Sequence, residues 1–142
     1  MRRPVKQVFL SYSRADEPAA RQILSHLEDA GFEVWYPDRD LLPGANWAES
    51  MDKALKNSDA MVVLLSPQYS QSNQRHEVEY ALTSERFSGR LIPVLLRKTK
   101  DYPWILDNLQ TMIRDQSPRH AARSVVELLT QGDDATKAVR AR

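Results

Sequence analysis

Phe9-Leu10-Ser11-Tyr12-Ser13-Arg14-Ala15-Asp16 is the stretch on which the fold turns. Val8, Phe9 and Leu10 are apolar, hydroxyl groups follow at once, and a helical pattern begins after Asp16. A buried strand that breaks into a polar loop is how open α/β sheets present their ligand sites. Asp16 stands where a cap would, ahead of Ala20, Ile23, Leu24 and Leu27, whose i, i+3, i+4, i+7 spacing makes one helical face. Gly31 then ends the helix as a left-handed C-cap.

Strand and helix patterns alternate along the rest of the chain. Phe32 to Tyr36 reads as a second strand, and Trp47, Met51, Ala54 and Leu55 mark a second amphipathic helix. Ala60 to Leu65 is an unbroken apolar run, which suits a central parallel strand covered on both faces. A third helix is predicted over Gln74 to Arg86, with Val78, Ala81 and Leu82 inward. Leu91 to Leu96 is a fourth strand, and Pro93 places it near an edge or irregularity. Pro103 to Asn108 suggests a helical turn, Thr111 to Ile113 a short fifth strand, and Pro118 opens a last helix carrying Ala122, Val125, Val126 and Leu129 on one face. The expectation is a flavodoxin-like open parallel sheet of five strands, order 2-1-3-4-5, with helices on both faces. Residues 1–131 form the domain and 132–142, with little to bury, a frayed tail. The crevice should open at the ends of strands 1 and 3, where the strand order reverses.

Composition closes off several classes of function. Twenty basic against nineteen acidic residues leave a net charge of +1, which makes no electrostatic case for nucleic acid or an acidic membrane. Arg97, Lys98 and Lys100 are the densest basic cluster and read as a solvated loop. The absence of cysteine removes disulfides, thiolate catalysis and thiolate-bound zinc, and fits a reducing cytoplasm. Met1 to Lys6 lack the apolar run of a signal peptide and no segment approaches spanning length, so a cytoplasmic location is expected. Glycines occur only at 31, 44, 89 and 132, so neither G-x-G-x-x-G nor a Walker loop can be written. His76-Glu77 begins a zinc motif that Tyr80 breaks, and no metal site is expected. A phosphorylated receiver would want acids where Ser11, Tyr12 and Ser66 stand.

What remains is a set of loops at one sheet edge. They carry Ser11, Tyr12 and Ser13; Tyr36, Asp38, Arg39 and Asp40; and Ser66, Tyr69, Ser70 and Ser72, with Glu77 and Glu79 on the helix above. A carboxylate among hydroxyls and aromatics can hold a ribose and steady a developing cation. Composition alone equally describes polar loops and a charged helix face. At about 100° per residue, Glu77 and Glu79 flank Val78 on opposite sides, so one acid faces the cleft and the other faces solvent. Helical geometry does not choose between them.

Val8-Phe9-Leu10-Ser11-Tyr12-Ser13 resembles the first box of TIR domains, and Arg39-Asp40-Leu41-Leu42-Pro43-Gly44 the second. Trp47 falls where bacterial members often have tryptophan. Ser66-Pro67-Gln68-Tyr69 followed by Glu77-Val78-Glu79-Tyr80-Ala81-Leu82 is similar to the segment bearing the family's catalytic glutamate. The resemblance runs from about Val5 to Leu129 and implies a bacterial-type TIR domain that cleaves the nicotinamide–ribose bond of NAD+. NAD+ would be the substrate, with no cofactor, and the product linear or cyclic ADP-ribose in immune or stress signalling. By matching position Glu77 is the catalytic acid. Phe9, Leu10, Ser11 and Tyr12 would floor the pocket; Tyr36, Arg39, Asp40, Trp47 and Tyr69 would complete it. Homotypic TIR–TIR self-association is implied as well, and a non-catalytic interaction module is the alternative. Many members carry Trp about a turn before the glutamate, whereas this chain has Asn73-Gln74-Arg75-His76 in a slightly shorter segment. An aromatic wall would then come from Tyr69, Tyr36 or a neighbouring subunit.

Overall fold

The computed structural model describes residues 4–36, 46–72, 74–115 and 117–140. β1 (Gln7–Ser11), β2 (Glu33–Trp35), β3 (Ala60–Leu65) and β4 (Leu91–Leu95) form one parallel sheet in the order β2-β1-β3-β4. The helices are α1 (Glu17–Asp29), α2 (Trp47–Asn57), α3 (Gln74–Thr83) and α4 (Pro118–Arg140).

Side chains alternate across the sheet, as the pleat requires. Val8 and Leu10 of β1 and Ala60, Val62 and Leu64 of β3 pack against α1 and α4. Phe9 of β1 and Met61, Val63 and Leu65 of β3 pack on the opposite face against α2 and α3. Every residue of β3 is fully buried, the expected state of a central strand covered on both sides.

α1 ends in a Schellman turn. Gly31 has φ +97°, Phe32 N–H donates to the Leu27 carbonyl at 3.1 Å and Gly31 N–H to that of Glu28 at 3.0 Å. A Cβ at Gly31 would meet nothing within 4 Å, so the positive φ rather than crowding calls for glycine. Asn46 caps α2, its side chain accepting from Glu49 N–H at 3.0 Å. α3 is shorter than its pattern suggests, closing at Thr83 before a 3-10 turn at Glu85–Phe87.

The expected fifth strand is reduced to one residue. Ile113 bridges Val94 in parallel, donating to the Pro93 carbonyl and accepting from Leu95 N–H, both at 2.8 Å. Met112 N–H is drawn back to the Leu109 carbonyl at 3.1 Å, and Ser117 N–H is already held by the Asp115 side chain at 2.9 Å. The chain therefore turns into and out of the ladder too quickly to pair further. Pro93 belongs here for a simple reason. Its carbonyl faces this outer side, and in a parallel strand the missing N–H faces the same way, where no full strand needs it.

At the opposite, N-terminal end of the sheet, Asp59 aligns β1 with β3. Its carboxylate accepts from the backbone N–H groups of Lys6 at 2.9 Å and Gln7 at 3.1 Å. Arg86 adds an ion pair to Asp59 at 3.5 Å and a bond to the Ser58 carbonyl at 2.5 Å. Asp59→Ala is expected to lower the unfolding free energy by about 2 kcal/mol, the order for hydrogen bonds to a charged group. Urea denaturation measures this, and a loss below about 0.5 kcal/mol would show that the staple is dispensable.

Candidate active site

α3 lays an unusual stripe on the sheet. Positions 74, 77, 78 and 81 follow the i, i+3, i+4, i+7 spacing of an inward face, yet the first two are Gln and Glu. Gln74 is buried, and its Nε2 donates to the Leu64 carbonyl at 2.8 Å, one residue beyond the last β1–β3 pair, Ser11 with Val63. The Ser72 hydroxyl lies 3.1 Å from Gln74 Oε1 and 2.8 Å from the Tyr69 carbonyl. These bonds fasten the first turn of α3 to the end of β3, and so fix where Glu77 sits.

Glu77 is 4% exposed, and Ser11 Oγ donates to its Oε1 at 2.5 Å. Ser11 closes β1 and is itself fully buried. Burial pushes the Glu77 carboxyl up to about 7, while the Ser11 bond, which favours the anion, pulls the other way. Glu79 is exposed. The structure thus separates the two acids that helical geometry left equivalent.

The other residues expected at the site divide between the two faces of the sheet. Phe9 shares the Glu77 side with Ser11, is fully buried and stacks on Trp35 with centroids 5.0 Å apart and planes at 23°. Tyr69, in the 3-10 turn Tyr69–Gln71 after β3, is buried on that side too. Burial first, and the charge of Glu79 second, push its phenol up to about 12, so it stays neutral. Leu10 lies in the opposite core, under α1 and α4. Tyr12 and Tyr36 pack against that same core, their rings 6.1 Å apart and tilted at 47°. Arg39 and Asp40 lie outside the described residues, as does the side chain of Trp47 at the start of α2.

Asp16 departs from expectation. It stands at the N-cap position of α1, behind a 3-10 turn at Arg14–Asp16, but its side chain makes no capping bond. It turns inward instead, 5% exposed, and accepts from Ser13 Oγ at 2.9 Å and Ser66 Oγ at 2.5 Å through Oδ2. Oδ1 takes a 3.0 Å bond from the Arg97 guanidinium. Two hydroxyls and a cation offer more than one backbone N–H would, and they outcompete the cap. The sequence carried no local sign of this, because Ser66 and Arg97 lie far along the chain. Gln74 was missed as well, because its place on the inward face follows from burial and not from the helical spacing, which 75, 78, 79 and 82 satisfy equally. Among the described residues no group of His, Cys, Asp or Glu could hold a metal ion, and no helix is long and apolar enough to cross a membrane.

A family model described as TIR domain matches residues 8–131. The chain belongs to the TIR domain family. Among its relatives is the NAD(+) hydrolase PdTIR of Paracoccus denitrificans, 32% identical over 101 residues, which cover 69% of this chain and 34% of that one. Another is the 2' cyclic ADP-D-ribose synthase BtTIR of Bacteroides thetaiotaomicron, 27% identical over 69% of this chain and 36% of the relative. This TIR domain thus spans about a third of the length of these curated relatives. Among solved structures, a metazoan TIR-STING receptor from C. gigas superposes with a TM-score of 0.70 at 26% identity, covering 92% of this chain and 42% of that one. The TIR domain of the Toll-related receptor TRR-2 from Hydra magnipapillata, at 22% identity and a TM-score of 0.65, shares the fold over 94% of this chain and 97% of its own.

The Glu77 carboxyl of this TIR domain makes stability depend on pH. The unfolded chain ionises it near 4.5 and the folded chain only near about 7, so stability falls as pH rises through that window. Glu77→Gln keeps an acceptor for Ser11 and removes the titration. It is expected to be more stable than wild type at pH 8, by on the order of 3 kcal/mol, and close to wild type at pH 4. Urea denaturation at both pH values checks this; an equal loss at both would show that burial does not oppose the charge.

Proposed function

We propose that this TIR domain is an NAD+ nucleosidase in which Glu77 acts at the nicotinamide ribose. The carrying observation is the buried Glu77 carboxyl, bonded at 2.5 Å to Ser11 at the C-terminal end of the central strand β1. Two relatives named as an NAD(+) hydrolase and a 2' cyclic ADP-D-ribose synthase support the substrate class. In the proposed reaction the bond between ribose C1′ and the pyridinium nitrogen breaks, and its electron pair goes to nitrogen. Nicotinamide leaves neutral and needs no proton from the protein. The positive charge passes to the ribose as an oxocarbenium ion, which an ionised Glu77 in a water-poor site stabilises more strongly than solvent would. Water then bonds to C1′ and loses a proton to solvent, giving ADP-ribose; capture by a hydroxyl of the same molecule gives a cyclic isomer instead. Tyr69, with its neutral phenol on the Glu77 side, is proposed to wall the nicotinamide where many members have tryptophan. Tyr12, Tyr36, Arg39, Asp40 and Trp47 keep their proposed part in completing the pocket, whereas Leu10, fully buried under α1 and α4, supports its floor from the core and does not touch the ligand.

A second reading, homotypic association without chemistry, is favoured by one observation. Trp104 is 74% exposed and Ile105 41%, beside a groove of about 380 Å³ lined by Leu82, Phe87, Leu91 and Leu109 among others. An exposed apolar patch of this kind marks association surfaces. Trp104→Glu is expected to lower the self-association measured by light scattering without lowering the melting temperature.

Wild-type protein, assayed concentrated, should release nicotinamide from NAD+, and Glu77→Ala should reduce this to background. kcat/KM, which reports the free enzyme, should rise about tenfold per pH unit below about 7 and level off above it, as Glu77 ionises. Equal rates in wild type and Glu77→Ala would overturn the assignment, and loss with Glu79→Ala alone would move it to the other acid. No turnover at any concentration would leave the association reading.

A further inference from the structure

The geometry points to Arg97 as the group that takes the diphosphate of a dinucleotide substrate, an inference that rests on the NAD+ reading above. Arg97 follows β4 at the same sheet edge as Ser11, Ser66 and the first turn of α3. Its side chain is 52% exposed while the side chain of the Asp16 it grips is 4% exposed. One nitrogen of the fork, Nη2, is therefore anchored on a buried carboxylate, in a side chain that is half exposed. A guanidinium presents donors in a planar fork matched to phosphate oxygens, and anchoring lowers the entropy lost when it binds them. Lys98 and Lys100 are exposed in the same loop, and Arg14 is exposed in the loop after β1, so the anchored cation stands among further positive charge.

The position relative to Glu77 suits one ligand. Asp16 holds Arg97 over Ser13 and Ser66, the loops that leave β1 and β3, while Glu77 is held by Ser11. Ser11 and Ser13 are two residues apart in the chain. At a maximum of about 3.6 Å per residue their Cα atoms lie within about 7 Å of each other. That is comparable to the reach from the anomeric carbon of a nucleotide to its 5′-phosphate. A ribose at Glu77 can thus direct its diphosphate along the β1 loop toward Arg97. The alternative is that Arg97 only neutralises Asp16.

The test uses the full chain carrying Glu77→Gln, so that nothing turns over, and calorimetry with ADP-ribose and with phosphate-free nicotinamide riboside. Arg97→Ala should weaken ADP-ribose at least tenfold and leave nicotinamide riboside within twofold. Arg97→Gln keeps an amide donor for Asp16 but no charge, and should weaken ADP-ribose similarly; Arg97→Lys should restore part of the affinity. Raising the salt should weaken ADP-ribose binding to the Arg97-bearing chain more than to Arg97→Ala. In the chain with Glu77 intact, Arg97→Ala should raise KM for NAD+ at least tenfold with kcat within threefold. If both ligands weaken alike, or if only Arg97→Ala and not Arg97→Gln has an effect, Arg97 acts by supporting Asp16 and the inference falls. Unchanged ADP-ribose affinity in Arg97→Ala, with wild type still releasing nicotinamide, overturns Arg97 and leaves the nucleosidase standing. A wild-type chain that neither releases nicotinamide nor binds either ligand overturns both.

Discussion

The buried carboxylate of Asp16 is the constraint that organises the C-terminal edge of the sheet, where the candidate site lies. It accepts from the hydroxyls of Ser13 and Ser66 and from the guanidinium of Arg97, so one side chain ties together the segments leaving β1, β3 and β4. Loops at the C-terminal edge of a parallel sheet have no ladder to hold them. Without such a tie, each would sample its own conformations, and a site built on several of them would not be preorganised. The Asp59 staple does the corresponding work at the other end of the sheet, where it aligns β1 with β3.

The two buried carboxylates of the functional edge are treated differently by their surroundings. Asp16 is met by a cation and two hydroxyls, which offset its loss of water. Glu77 is met by the Ser11 hydroxyl, and burial dominates its ionisation. A buried acid on an inward helical stripe is a local conflict of the kind expected of a candidate functional site rather than of a core. Gln74, one turn earlier on the same stripe, shows how such a stripe is accommodated: its amide satisfies the Leu64 carbonyl just past the last β1–β3 pair.

Much of the architecture was legible because it rests on local pattern. The apolar run from Ala60 to Leu65, the 3.6-residue spacing after Asp16 and the glycine at 31 each specify their element through nearby residues, alternation of strands and helices specifies a parallel sheet, and the flavodoxin-like order expected for a domain of this size holds for the four strands. Thr111 to Ile113 failed as a strand because strand length depends on how quickly the flanking turns close, a matter of the tertiary path. Asp16 was legible as a cap and is something else, since two of its partners, Ser66 and Arg97, come from the segments that follow β3 and β4. The spacing of α3 left Glu77 and Glu79 undecided, since 74, 77, 78 and 81 and 75, 78, 79 and 82 fit an inward stripe equally, and burial selects the first set.

The sequence by itself determined the parallel α/β sheet, its β2-β1-β3-β4 order, the edge where polar loops gather and, through the boxes beginning at Val8, the TIR family. Only the tertiary structure decided that Glu77 is buried against Ser11 while Glu79 meets solvent, that Tyr12 and Tyr36 share the opposite face, and that Asp16 binds Arg97. The physical reason is range. Hydrophobic periodicity and turn chemistry act over a few residues and can be read along the chain. The ionisation of a carboxyl depends on which distant groups the fold brings within hydrogen-bonding reach and how much water it leaves there.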